Sequence, residues 1–225
     1  MADAQSKTAE PHPVPAPDAG PQPDGHGDVG VRIRAARTER NLTLRELARR
    51  LGVSAGHISQ VERGLVKPSI SLVYSIADVL AVGVGDLFSN NTGPGTPDVG
   101  IVRTPGEDRY VTRAAERRTI NLETGVRWEL LTPTTREPVD FREIVYAAGS
   151  GSTQPGSFVR HSGREYGLVL SGRLRVQLEF DEYELGPGDS IAFESAVPHR
   201  FWNDGPETVK AVWCTLAAPE DAGAL

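Results

Sequence analysis

The chain has 225 residues, with 24 lysines and arginines against 30 aspartates and glutamates and a formal net charge of −6. This length exceeds what one small domain needs and suffices for two, each with its own core. No apolar run approaches membrane-spanning length, and the start has only Lys7 as a basic residue, so we expect neither a membrane span nor a secretory signal. The one cysteine, Cys214, excludes an internal disulfide. We expect a cytoplasmic protein in which Cys214 is a buried strand thiol.

The charge is distributed unevenly along the chain. Residues 29–88 carry nine basic and five acidic residues, a net of +4, whereas residues 1–28 have a net charge of −4. Residues 99–225 carry fourteen basic and nineteen acidic residues, a net of −5. A basic segment in an acidic chain favours nucleic-acid binding by that segment alone and argues against a general coat protein.

Composition also predicts the segment boundaries. Residues 1–28 contain six prolines and three glycines and are predicted to be a disordered leader. Residues 29–88 are predicted to form a helical domain. The Gly, Pro and Asn residues of 89–98 predict a flexible linker, and residues 99–225 are predicted to form a second domain.

The helical segment opens with a basic helix that contains Arg32, Arg34, Arg37 and Arg40. Two short amphipathic helices joined by a tight turn follow. The first has an apolar stripe at i, i+3, i+4 and i+7, formed by Leu44, Leu47, Ala48 and Leu51. Thr43 and Glu46 fit a capping box at its start, and Gly52 fits a left-handed residue at its end. Ser54 is predicted to cap the second helix and Gly64 to end it.

The second of these helices presents small and polar side chains outward. Its outward positions are Ala55, Gly56, His57, Ser59, Gln60 and Arg63. Small residues at the first turn let a backbone approach base edges, while Gln60 fits adenine and Ser59 bonds several bases. The predicted phosphate contacts are Thr43, His57, Arg63 and Lys67. The alternative is that these polar residues form only a solvated helix face. The caps, the turn glycine and the helix lengths all agree with a DNA-binding helix pair and disfavour that alternative.

Two more helices are predicted after this pair. Ser69, which follows Pro68, caps the fourth, and residues 84–88 form a short closing helix. The five-helix plan over 29–88 resembles the phage-repressor-type (XRE) helix-turn-helix domains. That resemblance implies binding to double-stranded DNA as a homodimer, on a palindromic operator with half-sites about one helical turn apart.

Beyond residue 98 the pattern changes to short β-rich runs separated by turn signals. The runs are 127–131, 141–147, 167–170, 173–180 and 208–216, and they predict an all-β sandwich or barrel. Two motifs stand within them: His161, Glu165 and Gly172, then Gly188, His199 and Asn203. Their spacing resembles the cupin family, which implies a jelly-roll barrel (a double-stranded β-helix). The departures from the family pattern are Val159 in place of the first histidine, and Thr153, Glu194 and Ala196.

The departure at Val159 removes the usual four-ligand metal site and leaves a two-histidine, one-carboxylate set. His161, Glu165 and His199 are chemically suited to one divalent ion, such as Fe, Zn, Mn or Ni, with open coordination positions. The alternative is a metal-free pocket in which the same side chains bond a small effector or one another. Either way the sequence predicts a ligand pocket in the barrel.

The whole chain resembles the XRE-type regulators that carry a C-terminal cupin sensor. This resemblance implies a transcriptional regulator whose operator binding responds to a small-molecule effector, without catalytic residues. An enzyme is the alternative, since a similar domain order and ligand pattern occur in the non-haem iron epoxidase that forms fosfomycin. In that case the helix-turn-helix would be vestigial, yet its caps and basic face are kept. A third possibility is that the barrel serves only for dimerisation.

Overall fold

The computed structural model describes residues 26–88, 110–133 and 139–216. The predicted leader and linker lie outside these residues, except that the first helix already begins at His26. Four α-helices come first: α1 (His26–Glu39), α2 (Leu44–Leu51), α3 (Ala55–Glu62) and α4 (Ile70–Leu80). The predicted fifth helix is a 3₁₀ turn, Val84–Leu87, so the five-helix plan is corrected to four helices and one turn.

The predicted capping residues lie where the sequence places them. The hydroxyls of Thr43, Ser54 and Ser69 each accept a hydrogen bond from a backbone N–H three residues later, which satisfies an unpaired donor at each helix start. Gly52 adopts φ 68°, the left-handed conformation that ends α2. α2 and α3 are therefore held as a helix-turn-helix, and no helix among the described residues is long and apolar enough to cross a membrane.

In the described part of the second domain there are nine strands, and all their pairings are antiparallel. Their ranges are β1 (Thr119–Asn121), β2 (Val126–Leu130), β3 (Val139–Tyr146), β4 (Arg164–Ser171), β5 (Leu174–Leu178), β6 (Asp181–Leu185), β7 (Ser190–Glu194), β8 (His199–Trp202) and β9 (Val209–Leu216). One sheet has the order β1-β2-β3-β9-β4-β7 and the other β6-β5-β8. These two sheets form the predicted cupin barrel, and β1, β6, β7 and β8 are additional to the predicted runs.

Alternation along the strands separates the barrel interior from its outer face. On β9 the side chains of Val209, Ala211 and Trp213 are buried, whereas Cys214 is only partly buried. The expectation of a buried Cys214 thiol is therefore wrong, because its position in the alternation places it on the outer face. Burial is still sufficient to raise the pKa of this thiol above its ordinary value.

The helical domain packs directly on the barrel. The Phe88 ring lies against the Trp128 ring with centroids 6.4 Å apart, and the Glu123 N–H donates to the Pro68 carbonyl at 3.1 Å. α4 contributes Ile70 and Tyr74 to the same contact. The surface of α4 that does not serve the helical core is thus turned to the β-domain.

Candidate functional site

The outward face of α3 is the candidate DNA interface. Gly56, Gln60 and Arg63 are exposed, while Ala55, His57 and Ser59 are partly buried. Ser54 serves as the cap, and its hydroxyl accepts from the His57 N–H at 3.1 Å. Arg63 donates its Nε–H to the Ser59 carbonyl at 3.2 Å, so its side chain folds back along α3. Thr43 is exposed at the start of α2, and Lys67 is partly buried after α3.

Arg37, one of the four arginines of the predicted basic helix, is not free to bind DNA. It is buried, and its Nε and Nη2 donate to the two carboxylate oxygens of Glu62 at 2.6 and 2.9 Å. Its Nη1 donates to the Leu42 carbonyl at 2.8 Å. The hydrogen bond with Glu62 raises the pKa of Arg37. This bidentate pair ties the end of α3 to α1.

A helical pattern could have revealed this buried pair. Arg37 continues the stripe of Val29 and Ile33 at spacing i+4, and Glu62 follows Ile58 at the same spacing. Opposite charges at core positions of two helices indicate a partnership, because a single buried charge is costly. Arg37 is therefore a core position of the first helix as well as one of its basic residues.

The second candidate site lies inside the barrel, where the structure brings together His161, Glu165 and His199. Glu165 is on β4, His199 begins β8, and His161 lies in the loop before β4. Glu165 Oε1 is 2.8 Å from His161 Nε2 and 3.3 Å from His199 Nε2. All three side chains are buried, and their three ligand atoms lie within 4.8 Å of one another.

The other ring nitrogen of each imidazole lies beside a backbone carbonyl. His161 Nδ1 lies 3.0 Å from the Ser162 carbonyl and His199 Nδ1 lies 2.8 Å from the Val197 carbonyl. A carbonyl only accepts, so the tautomer with its proton on Nδ1 satisfies this contact and presents an Nε2 lone pair, which is the form that binds a metal. Burial lowers the pKa of His199, against the charge of Glu165, and so favours its neutral form.

In that tautomer two lone pairs and a carboxylate oxygen face one point. His161 Nε2 and Glu165 Oε1 are buried and lack a hydrogen bond of acceptable geometry within the described residues, despite their 2.8 Å contact. Burial opposes ionisation of Glu165, but the contact with His161 and the charges that His199 and His161 carry when protonated outweigh burial and hold the pKa of Glu165 below the usual range. The donor set therefore fits a divalent cation, the group that satisfies three converging lone pairs.

Neighbouring residues fix the triad in place. The Trp213 indole N–H donates to Glu165 Oε2 at 2.6 Å, which orients the carboxylate. Gly167 makes room for that indole, because a Cβ there would lie 2.2 Å from a Trp213 ring atom. Val159, at the position of the missing ligand, is buried and pairs its backbone with His199. Asn203 is structural, since its amide donates to three backbone carbonyls.

Tyr74, which sequence reasoning missed, reaches this site from α4. Its ring stacks on the His161 ring with centroids 4.0 Å apart and an interplanar angle of 13°. Its hydroxyl accepts a hydrogen bond from Arg142 Nη2 at 2.7 Å. Arg142 is itself buried on β3, with its guanidinium 4.0 Å from the centre of the Trp128 ring. No periodic signal marks Tyr74, because its partners lie in the other domain.

Comparison with known proteins matches both domains. Residues 33–87 match the helix-turn-helix family model and residues 143–215 the cupin domain model. The HTH-type transcriptional regulator PuuR of Escherichia coli is 25% identical over 174 residues, 77% of this chain and 86% of that protein. An uncharacterized HTH-type transcriptional regulator of Archaeoglobus fulgidus is 40% identical over 58 residues, 26% of this chain and 82% of that protein.

One solved structure supports the overall architecture. The crystal structure of an HTH_3 family transcriptional regulator from Vibrio cholerae has a TM-score of 0.57 and 21% sequence identity. The match covers 86% of this chain and 97% of that one. At this identity the likeness shows the fold, with helices followed by a barrel in one chain.

Proposed function

The chain belongs to the HTH-type transcriptional regulators that join an XRE-type helix-turn-helix to a cupin domain, and from this premise we propose that an occupant of the barrel modulates its operator binding. The observation that carries the proposal is the buried convergence of His161, Glu165 and His199 on one point. An occupant that binds two orientations of the DNA-binding domains with different affinities shifts the balance between them. We place this activity in the cytoplasm, where the operator DNA of such a regulator lies.

For the DNA side of the proposal, α3 lies in the major groove. Gln60 pairs with adenine, Ser59 bonds a neighbouring base edge, and the small Ala55 and Gly56 let the backbone approach. The predicted phosphate contacts are Thr43, His57, Arg63 and Lys67. Arg63 must release the Ser59 carbonyl to reach DNA, a local rearrangement of one side chain.

For the sensor side, His161 Nε2, Glu165 and His199 Nε2 would hold one divalent ion. Bound Fe, Zn, Mn or Ni would supply a Lewis-acidic centre for an effector oxygen or nitrogen. The chain's own residues orient the three ligands: two carbonyls lie beside the imidazole Nδ1 atoms, and Trp213 orients the carboxylate. Val159, at the position of the missing histidine, would contribute no fourth protein ligand.

The metal assignment predicts stoichiometric binding that depends on the triad. Dialysis against Zn(II), Fe(II), Mn(II) or Ni(II), followed by elemental analysis, is expected to give about one ion per chain for at least one metal. His199→Ala is expected to weaken that binding at least about 100-fold, because one of three ligands is lost. His57→Ala, a partly buried histidine on α3, serves as the matched control and leaves metal content unchanged. No stoichiometric metal in the wild-type protein would contradict the assignment.

The helix pair favours sensing over catalysis. The caps of α2 and α3 are intact, which fits a helix pair that still reads DNA rather than a vestige attached to an iron enzyme resembling the fosfomycin-forming epoxidase. We therefore propose a non-catalytic role for the barrel, with substrate-dependent consumption of dioxygen by the iron-loaded protein as the result that would reverse it.

We further propose that the protein is a homodimer joined through the outer face of the large sheet. An exposed antiparallel sheet usually presents polar side chains to water. Here the outer sheet patch, formed by Phe141, Tyr166, Leu168, Leu170 and Val212, is apolar, and four of these side chains are 37–47% exposed. Cys214 lies within it, opposite Phe141 on β3 and Tyr166 on β4. A second copy covers such a patch by a two-fold contact.

The dimer is tested by mass and cross-linking in solution. Sedimentation is expected to give twice the 24.2 kDa chain mass for the wild type and a single chain mass for Leu168→Arg. DNA affinity is expected to fall at least about 100-fold in Leu168→Arg, because binding through two linked half-sites is lost. Leu65→Arg, at an exposed leucine outside the patch, is the control for the oligomeric state. A dimer that persists in Leu168→Arg and forms no Cys214 disulfide under mild oxidation would contradict this interface.

A further inference from the structure

The cavity beside the triad is too small for any effector as it stands. With a volume of about 20 Å³ it holds roughly one water molecule or one ion. A ligand of several non-hydrogen atoms enters only if part of the lining moves. Ten of the twelve lining residues belong to the barrel, and the other two, Ile70 and Tyr74, come from α4 of the DNA-binding domain.

Tyr74 is the lining residue best placed to move. Ile70 is buried, whereas Tyr74 is partly exposed and stands on a helix of the other domain. Its ring stacks on the His161 ring, and its hydroxyl accepts a hydrogen bond from Arg142 Nη2. Eight of the ten barrel residues that line the cavity lie on strands and are held by backbone pairing, which leaves the α4 side as the wall that can open.

Arg142 lines this cavity and is a buried cation with unused hydrogen-bond donors. Its side chain is 1% exposed, and only Nη2 makes hydrogen bonds, to the hydroxyls of Tyr74 and Thr215. Among the described residues, neither Nε nor Nη1 has a hydrogen-bond partner. The Asp140 carboxylate lies 3.1 Å from Nη1 and neutralises part of the charge, but it leaves Nε and Nη1 without a hydrogen bond. Unsatisfied donors on a buried charged group are costly. The planar guanidinium presents its N–H donors in a geometry that matches a carboxylate.

Resting on the sensing role proposed above, we propose that the pocket takes a small carboxylic acid and that Tyr74 is its lid. The ligand carboxylate replaces the Tyr74 hydroxyl on Arg142, next to the triad. Because the ring and the ligand cannot occupy the same space, the ligand binds only the state in which Tyr74 has left. Departure of Tyr74 removes one of the contacts between α4 and the barrel, and α4 contributes to the core on which α2 and α3 pack.

An alternative role for Arg142 is purely structural, as a cation packed on Trp128 and paired with Asp140. The two roles differ in what the Tyr74 hydroxyl does. If it competes with a ligand, its removal strengthens ligand binding. If it only satisfies Arg142, its removal leaves ligand binding unchanged or weakens it.

The experiment measures binding of acetate, pyruvate, succinate and glutarate to the full chain in the presence of Zn(II), which offsets the charge of Glu165. The change in tryptophan fluorescence is the readout, since one of the three rings, that of Trp128, lies 4.0 Å from the Arg142 guanidinium. At least one of these carboxylates is expected to bind, and its amide of the same shape is not. Tyr74→Phe keeps the ring and is expected to bind that carboxylate about ten-fold tighter, because one charge-assisted hydrogen bond no longer competes.

Two further variants complete the design. Arg142→Gln is expected to lose at least ten-fold in carboxylate affinity, with near-ultraviolet circular dichroism as the check on folding. Tyr183→Phe removes a hydroxyl from the exposed strand β6. It is the matched control and is expected to leave the carboxylate affinity unchanged. The carboxylate is expected to change the affinity of the wild type for its own upstream DNA at least about five-fold, and that of Tyr74→Ala less than two-fold.

The outcomes separate this proposal from the sensing role on which it rests. Binding by none of the four carboxylates, equal binding of the amides, or unchanged affinity in Tyr74→Phe overturns the carboxylate lid. If metal still changes DNA affinity in that case, the sensing role stands without it. If neither metal nor carboxylate changes DNA affinity, the sensing role itself fails.

Discussion

Glu62→Ala is expected to destabilise the DNA-binding domain by about 3–5 kcal/mol, because it leaves the Arg37 guanidinium buried without its partner. The pair joins α1 to the last residue of α3, so its loss loosens the helix that we propose reads DNA. Far-ultraviolet circular dichroism follows the helices during denaturant unfolding. The three tryptophans all lie in the barrel, so their fluorescence separately reports on that domain.

Two controls identify the buried pair as the cause. Arg37→Met combined with Glu62→Leu replaces both charges by apolar side chains and is expected to recover most of the lost stability. Arg50→Ala removes the exposed pair with Glu46 at 3.3 Å and is expected to cost less than about 1 kcal/mol. A loss below about 1 kcal/mol in Glu62→Ala as well would show that the buried pair does not hold α3.

Gln60→Ala combined with Arg63→Ala is expected to weaken binding to the protein's own upstream DNA at least about 100-fold. The glutamine change removes a bidentate base contact, of about 1–3 kcal/mol, and the arginine change removes a phosphate contact. Because each phosphate contact releases counterions, the slope of affinity against salt is expected to fall by about one. Gel shifts at several salt concentrations measure both effects.

The matched control makes the same two changes on the barrel, Gln177→Ala with Arg173→Ala. It alters net charge equally but leaves α3 untouched, so DNA binding is expected to change less than two-fold. A band shift that persists unchanged in the α3 variant would show that the groove contacts lie elsewhere.

Local chemistry explains why much of the fold could be predicted from the sequence. The caps at Thr43, Ser54 and Ser69 and the left-handed Gly52 involve neighbours within four residues, so the pattern of residue types suffices. The spacing of His161 and Glu165 before His199 likewise predicts the triad once the barrel is recognised. The structure brings these three side chains together in the predicted set.

Contacts between distant segments were not predictable in the same way. Arg142 and Tyr74 are 68 positions apart, and no short-range pattern links them. The same holds for Trp213, which orients Glu165 across 48 positions and requires Gly167 beneath its ring. Gly167 begins one of the predicted β-rich runs, but the reason for a glycine there is visible only in the packing. The predicted fifth helix became a 3₁₀ turn because residues 84–87 are too few for a stable α-helix.

The most direct test of the account measures affinity for the upstream DNA with metal-free and metal-loaded protein. For the ion that binds stoichiometrically, the wild type is expected to change affinity at least about five-fold between the two forms. His199→Ala, at the same metal concentration, is expected to change less than two-fold. Equal DNA affinity of the metal-free and fully loaded wild-type protein would contradict the claim that the triad governs DNA reading.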